Sequence, residues 1–223
     1  TGENQWCFPL SYDSDDLTNY ELGWKTTLAD GRVQFNGAIY REKWEDAQTI
    51  LYAPQLGFPN LTATLNGPEY EVDGIEVNLA WMPMDGLTIV AAGSYNDGQL
   101  KNSPQVTNNI EGDPNFGQPI TESCLAFDTG GNCTNVVSVE DIYGETGTEL
   151  ANSPPLQFNI RARYEWVRGD YAPYVGAAVQ YQDSSFSSAI NNNRFEMPDW
   201  TTFDLAAGVG GVQQAIIQHH ALG

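Results

Sequence analysis

The stretch "LAWMPMDGLTIVAAGSYNDG", residues 79–98, decides the fold. Leu79, Trp81, Leu87, Ile89, Ala91 and Tyr95 recur at alternate positions on either side of the short break "PMDG". Their neighbours Asn78, Thr88, Ser94 and Asn96 are polar. Successive side chains of an extended strand point to opposite faces, so this period of two is a β-hairpin with one apolar face. That face meets either the core of a soluble protein or lipid.

Reading outward, the same alternation predicts seven strands, at about 18–28, 33–42, 70–82, 87–96, 156–166, 171–182 and 201–209. It is strictest in 156–166: Leu156, Phe158, Ile160, Ala162, Tyr164 and Trp166 stand against Gln157, Asn159, Arg161, Arg163 and Glu165. Asp30-Gly31 between the first two strands is a type I′ turn signal. Tight turns also join the third strand to the fourth and the fifth to the sixth. The remaining links, about 43–69, 97–155 and 183–200, are long and rich in Asn, Asp, Gly, Pro and Ser. In an up-and-down meander this puts every short turn at one end and every long loop at the other.

That sorting is a property of outer-membrane barrels, and a soluble sandwich has no reason for it. Strand length agrees. A strand such as 18–28, at about 3.4 Å per residue, spans roughly 37 Å. A tilt near 45° reduces this to about 26 Å of height, matching an apolar band of about 25 Å. Trp81, Trp166 and Tyr171 fall beside the tight turns, while Tyr20, Tyr95 and Tyr181 fall toward the long loops, all six on the apolar parity. Two aromatic belts suit two membrane interfaces. The apolar face is therefore expected to meet lipid.

Bulk composition fits. The 223 residues carry 29 acids against 9 bases, a net charge of −20. A phosphate backbone needs a basic footprint, so nucleic acid is excluded as a partner. No run of eighteen apolar residues offers a helical span. The start, "TGENQWCFPLSYDSDD", is polar and lacks Met, so the chain is expected to be a processed protein or an internal piece.

Chemistry-bearing motifs are few. No GxxxxGK[ST], HExxH or GxSxG occurs, so no enzyme and no cofactor is expected. Cys124 and Cys133 bracket a turn-rich spacer and are expected to close a small disulfide loop, which leaves Cys7 to a partner further upstream. "DSDD" at 13–16 fails the EF-hand pattern, since Thr18 and Trp24 occupy the Gly and Glu positions, and no metal site is expected. His219 and His220 belong to a solvated tail. Arg161, Arg163 and Glu165 share the polar parity of one strand. They form either a strand-to-strand charge ladder or a lining that touches whatever fills the interior.

The segments 19–48, 72–98, 150–166 and 198–210, in this order with their turns, resemble the C-terminal part of the barrel of TonB-dependent outer-membrane receptors. The resemblance implies an all-β, antiparallel meander: about seven strands of a larger transmembrane barrel over residues 1–210, followed by an aberrant tail at 211–223. It also implies a plug domain through which TonB acts, and uptake of a metal chelate of siderophore type or another large nutrient. Outer-membrane lipid and lipopolysaccharide become expected partners, and the bacterial outer membrane the expected location. No plug or TonB-binding segment is present, so a truncated or frame-disrupted product, or an excised piece, is expected. Seven strands leave both sheet edges unpaired, and poor solubility follows. Two other readings compete: a secreted β-sandwich that binds carbohydrate through exposed Trp and Tyr, and a porin-like channel.

Overall fold

The structure is a computed structural model and describes residues 11–52, 62–130, 132–138, 142–188 and 194–211. Cys7, His219 and His220 lie outside them, as does the expected tail beyond Gly211. In chain order the strands are β1 (Asp16–Leu28), β2 (Val33–Glu45), β3 (Thr49–Tyr52), β4 (Thr62–Leu65), β5 (Glu69–Met84), β6 (Leu87–Asn102), β7 (Glu122–Phe127), β8 (Cys133–Ser138), β9 (Leu156–Glu165), β10 (Tyr171–Gln182), β11 (Ser185–Phe186), β12 (Glu196–Met197) and β13 (Trp200–Gly211).

β1, β2, β5, β6, β9, β10 and β13 form one seven-stranded sheet in that order, each pair antiparallel. These are the seven expected strands. β2, β5 and β6 run further into the loop end than the alternation indicates, to Glu45, Glu69 and Asn102. Each long connection also carries a hairpin of its own: β3–β4, β7–β8 and β11–β12. The alternation signal does not show these, because strands of two to six residues are too short to carry it.

The turns obey local chemistry. Arg32 N–H donates to the Ala29 carbonyl at 3.0 Å. Asp30 and Gly31 between them have φ of 53° and 86°, the two positive values a type I′ turn requires. This twist matches that of the flanking strands, so Leu28 and Val33 close the ladder directly.

The register sorts side chains by face. One ladder row reads Thr26, Phe35, Leu79, Ala91, Ile160, Val179, Phe203; the adjacent row reads Lys25, Asn36, Asn78, Ala92, Asn159, Gln180, Thr202. One residue of offset separates an apolar wall from a polar one. The apolar side chains are bare: Leu22 is 68%, Phe203 78% and Leu205 88% exposed. Among the described residues no second layer covers them, and every substantial strand packing is with a ladder neighbour. A β-sandwich needs a second sheet on its apolar face, so the binding-module reading is not favoured.

Charge marks where the apolar band ends. On the apolar parity, β5 is free of charge over residues 75–83 and β6 over 87–95, close to the roughly 9–11 residues of a tilted spanning strand. Past Ile39, Ile75 and Tyr95 the same face turns ionic, with Arg41, Asp73 and Asp97. Arg41 donates Nε and Nη2 to the two Asp73 carboxylate oxygens at 2.6 Å each. Those bonds hold the Asp73 carboxyl below its ordinary range. Lys43 and Lys101 flank Glu71 at 3.8 and 3.9 Å one step further out. At the other edge Trp166 stacks on Tyr164 with centroids 5.6 Å apart.

Most of the buried apolar residues lie outside the wall. Ala47, Leu65, Val106, Ile120, Ile142 and Tyr143, with Leu100 on the outer reach of β6, pack into a satellite core at the loop end. Gly67 seats one connection on another: a Cβ there would meet Pro104 Cγ at 2.9 Å and the Tyr143 ring at 3.2 Å. Asn66 fastens the first connection, donating Nδ2 to the carbonyls of Asp46 and Asp13 at 2.8 and 2.9 Å. Burial pushes the Tyr143 phenol up to about 12.

Two outcomes follow. In a bilayer-inserted barrel, Ile160→Arg should cost about 2–4 kcal/mol and Gln157→Arg on the polar face much less; denaturant titration in lipid measures both, and equal costs would contradict the face assignment. The Tyr143 phenol has a folded pKa above its unfolded value near 10. Loop packing should therefore be intact below pH 10 and weaken as pH rises toward 12, when only the unfolded form ionises readily. Tyrosinate absorbance followed alongside hydrogen exchange at Leu100 and Ile120 checks this, and exchange unchanged across that window would count against it.

Candidate functional site

The polar face is the candidate site, because it is concave and holds the chemistry. Near the turn end, a concavity of about 220 Å³ is lined by Arg161, Arg163, Tyr174, Gly176, Ala178 and Asp204, among others. Arg163 Nη2 meets Glu165 Oε2 at 2.7 Å, and its guanidinium carbon lies 3.6 Å above the centre of the Tyr174 ring. The Tyr174 ring rests over Gly208 on β13, where a Cβ would meet ring carbon Cε1 at 2.6 Å. The sequence shows only a glycine cluster closing a strand at 208–211; the structure gives Gly208 a reason, room for a ring from the neighbouring strand.

Arg161, Arg163 and Glu165 thus do come together on one face, as their parity indicates. Their pairing differs from a strand-to-strand ladder. The cross-strand neighbours of Arg163 are Thr88 and Gly176, neither charged, so its partner is Glu165 two residues along the same strand. Among the described residues Arg161 makes no ion pair or hydrogen bond, and it faces the interior with Asp204 two strands away.

Toward the loop end a second concavity, about 290 Å³, is lined on the polar parity by Glu76, Asn78, Ser94, Gln157, Asn159, Gln180 and Gln182. No cation lines it. Sequence reasoning did not single out these amides, since each is ordinary on a polar face. Only the register places Asn78 of β5, Asn159 of β9 and Gln180 of β10 on one row and Gln157 beside Gln182 on the next. A ring also braces this face further up: the Tyr40 hydroxyl donates to Asn96 Oδ1 across Gly74, which leaves the space for it.

The other expected residues are placed as follows. Cys124 and Cys133 lie on the two strands of the β7–β8 hairpin, opposite Val136 and Phe127; their side chains lie outside the described residues. Within "DSDD" the Asp15 carboxylate serves local structure, with Oδ2 accepting from Trp44 Nε1 at 2.6 Å. Among the described residues no group of three or more His, Cys, Asp or Glu is placed to hold a metal ion.

Comparison with known proteins bears on this two-faced sheet. The chain is similar to the siderophore receptor PiuA of Acinetobacter baumannii, at 22% identity and a TM-score of 0.54 over 86% of this chain and 22% of that one. It is similar to the ferric yersiniabactin uptake receptor FyuA of Yersinia pestis, at 14% identity and 0.55 over 87% of this chain and 22% of that one. A third is the ferripyoverdine receptor of the outer membrane of Pseudomonas aeruginosa, at 18% identity and 0.50 over 86% and 21%. The chain therefore spans about a fifth of the length of these structures. No curated protein sequence matches it. The family model described as "TonB dependent receptor-like, beta-barrel" matches residues 16–213. With its bare apolar face, polar concave face and sorted loops, the chain belongs to the TonB-dependent receptor β-barrel family of the bacterial outer membrane.

Proposed function

We propose that the chain forms part of the wall of a receptor that takes up a metal chelate of siderophore type, or another large nutrient, with energy delivered by TonB. The observation that carries this reading is the pairing of a lipid-ready apolar face with a polar concave face in a chain of this family. That the structural neighbours are siderophore and ferric-chelate receptors supports the cargo class. The porin-like alternative draws no such support.

The residues divide by role. Arg161, unpaired and facing the interior, is the one we assign to contact with what occupies or passes the lumen. Arg163 and Glu165 hold each other and position the Tyr174 ring. Outer-membrane lipid covers the apolar face. Lipopolysaccharide headgroups would lie level with Arg41, Lys43 and Lys101, and TonB would act through a plug domain. In the β7–β8 register Cys133 stands opposite Phe127, three residues from Cys124, so a Cys124–Cys133 bridge would require the hairpin to change register.

The test is iron-limited growth of a receptor-deficient host that expresses the receptor containing this wall. Growth should be restored by at least one of ferric yersiniabactin, ferric preacinetobactin and ferripyoverdine, and lost when TonB is deleted. Restoration that survives the deletion would overturn the role of TonB, and none from any of the three chelates would overturn the siderophore-type cargo. Arg161→Ala should lower uptake more than Arg163→Lys, by roughly the 10- to 150-fold that one charge-assisted hydrogen bond represents. Equal uptake by both variants and the parent removes the role given to Arg161.

A further inference from the structure

Alternation settles which face a residue takes, and it leaves one degree of freedom open. A slip of two residues between neighbouring strands keeps every side chain on its own face, because the side-chain period is two. Within the β1–β2, β5–β6 and β9–β10 hairpins a tight turn forbids that slip. β2–β5, β6–β9 and β10–β13 are joined by long connections, which absorb it at little cost. The ion pairs do not forbid it either. Moved two residues one way, Arg41 stands opposite Glu71 and Lys43 opposite Glu69, so opposite charges still meet. Each of the three long joins carries a further feature. At β2–β5, Tyr40 is paired directly with Gly74, and a Cβ on that glycine would fall inside the Tyr40 ring. At β10–β13, Tyr174 is paired directly with Gly208, where a Cβ would meet the ring at 2.6 Å. At β6–β9 the contact is backbone: a Cβ on Gly86 would collide with the Glu165 carbonyl, and Glu165 N–H donates to the Gly86 carbonyl at 2.8 Å.

We infer that these three joints are the register locks of the wall: a ring or a carbonyl seated where a Cβ is missing fixes the stagger that turns and alternation leave free. Slipped by two residues, Tyr40 would face Val72 or Glu76, whose side chains fill the seat the ring needs. The Val72 slip is the one the ion pairs tolerate, so the ring is what opposes it. Tyr174 would face Ala206 one way and Gly210 the other, so its joint locks in one direction. A ring laid over glycine covers backbone that would otherwise be bare, and cross-strand aromatic pairs stabilise the register in which they meet. Trp24 over Gly37 repeats the joint inside the β1–β2 hairpin, on the apolar face. Strand stagger, tilt and size are linked in a closed barrel. The locks therefore set the width of the lumen as well as the rows of its polar lining. The inference rests on the wall and not on what the receptor carries.

The experiment moves the seat and reads the register. In the receptor containing this wall, with Cys7→Ser, Cys124→Ser and Cys133→Ser, Gln34→Cys is combined with Ala80→Cys, its partner in the structure, or with Asn78→Cys, its partner after the Val72 slip. Oxidation in the outer membrane bridges residues directly opposed, about 4.5–5.5 Å apart at Cβ, and not diagonal ones at about 7–8 Å. The parent should bridge positions 34 and 80. Exchanging the glycine with the next residue on its face, Val72→Gly with Gly74→Val, leaves the composition unchanged and should transfer the bridge to positions 34 and 78. Tyr40→Ala removes atoms and adds no clash. It should raise the ratio of slipped to native bridge about 1.5- to 5-fold, what one cross-strand pair is worth. Tyr40→Phe keeps the ring and should raise it less. Gly23→Ala should leave it at the parent's value, since Gly23 faces Ala38 and a Cβ there meets nothing closer than 3.5 Å. A bridge that stays between positions 34 and 80 in the exchanged receptor overturns the lock. Should that receptor not fold, Tyr40→Ala decides: an unchanged ratio overturns the inference, as does a change matched by Tyr40→Phe or by Gly23→Ala.

Discussion

The structure depends on a layer that the protein does not supply. The seven-stranded wall has almost no core of its own: among the described residues of its strands, away from the loop end, Ala38 and Ala172 alone are buried apolar side chains. A sheet with one apolar face needs something against that face. Transfer of a Leu, Ile or Phe side chain out of water is worth about 1.5–3 kcal/mol. Leu22, Phe203, Leu205 and their neighbours make that contribution only in hydrocarbon. The backbone makes the same demand from the other side, because only a hydrogen-bonded sheet lets a strand cross lipid without stranding its polar groups.

Given that constraint, the division of labour is intelligible. Stability that a soluble domain draws from a central core is here split between lipid and a satellite core in the loops. Pro104 and Tyr143 close on Gly67 and so tie two connections together at the loop end, where water returns and a soluble kind of packing works again. The change of environment is written on β2, β5 and β6, whose apolar faces give way to Arg41, Asp73 and Asp97 within two residues of Ile39, Ile75 and Tyr95. The polar face is freed from packing and can specialise. It does so twice, with an arginine cluster braced by Tyr174 near the turns and an amide-lined concavity toward the loops.

Much of this was legible in the chain. Alternation is a backbone property: it follows from the strand's period of two and survives without any tertiary contact. It therefore located all seven wall strands, their order, the sorting of turns and loops, and the face on which Arg161, Arg163 and Glu165 lie. Asp30-Gly31 announced its own turn, because positive φ at both central residues is a local requirement. The β3–β4, β7–β8 and β11–β12 hairpins escaped, since strands of two to six residues are too short to carry a readable alternation. The brace of Arg163 escaped too: its partner stands on its own strand, and Tyr174, which lies under it, is linked to it only through the register.

The sequence alone determined the architecture, because one-faced strands with sorted loops have a single physical home. It could not assemble the sites. Gly74, Gly208 and the five amides are each unremarkable by position. Their meaning comes from being placed side by side across strands about 4.8 Å apart. Which residues share a row is decided by turn lengths, cross-strand packing and the tilt of the sheet, summed over the whole wall. That sum, and not any local motif, brings the amides to one concave floor and gives a glycine the ring that lies over it.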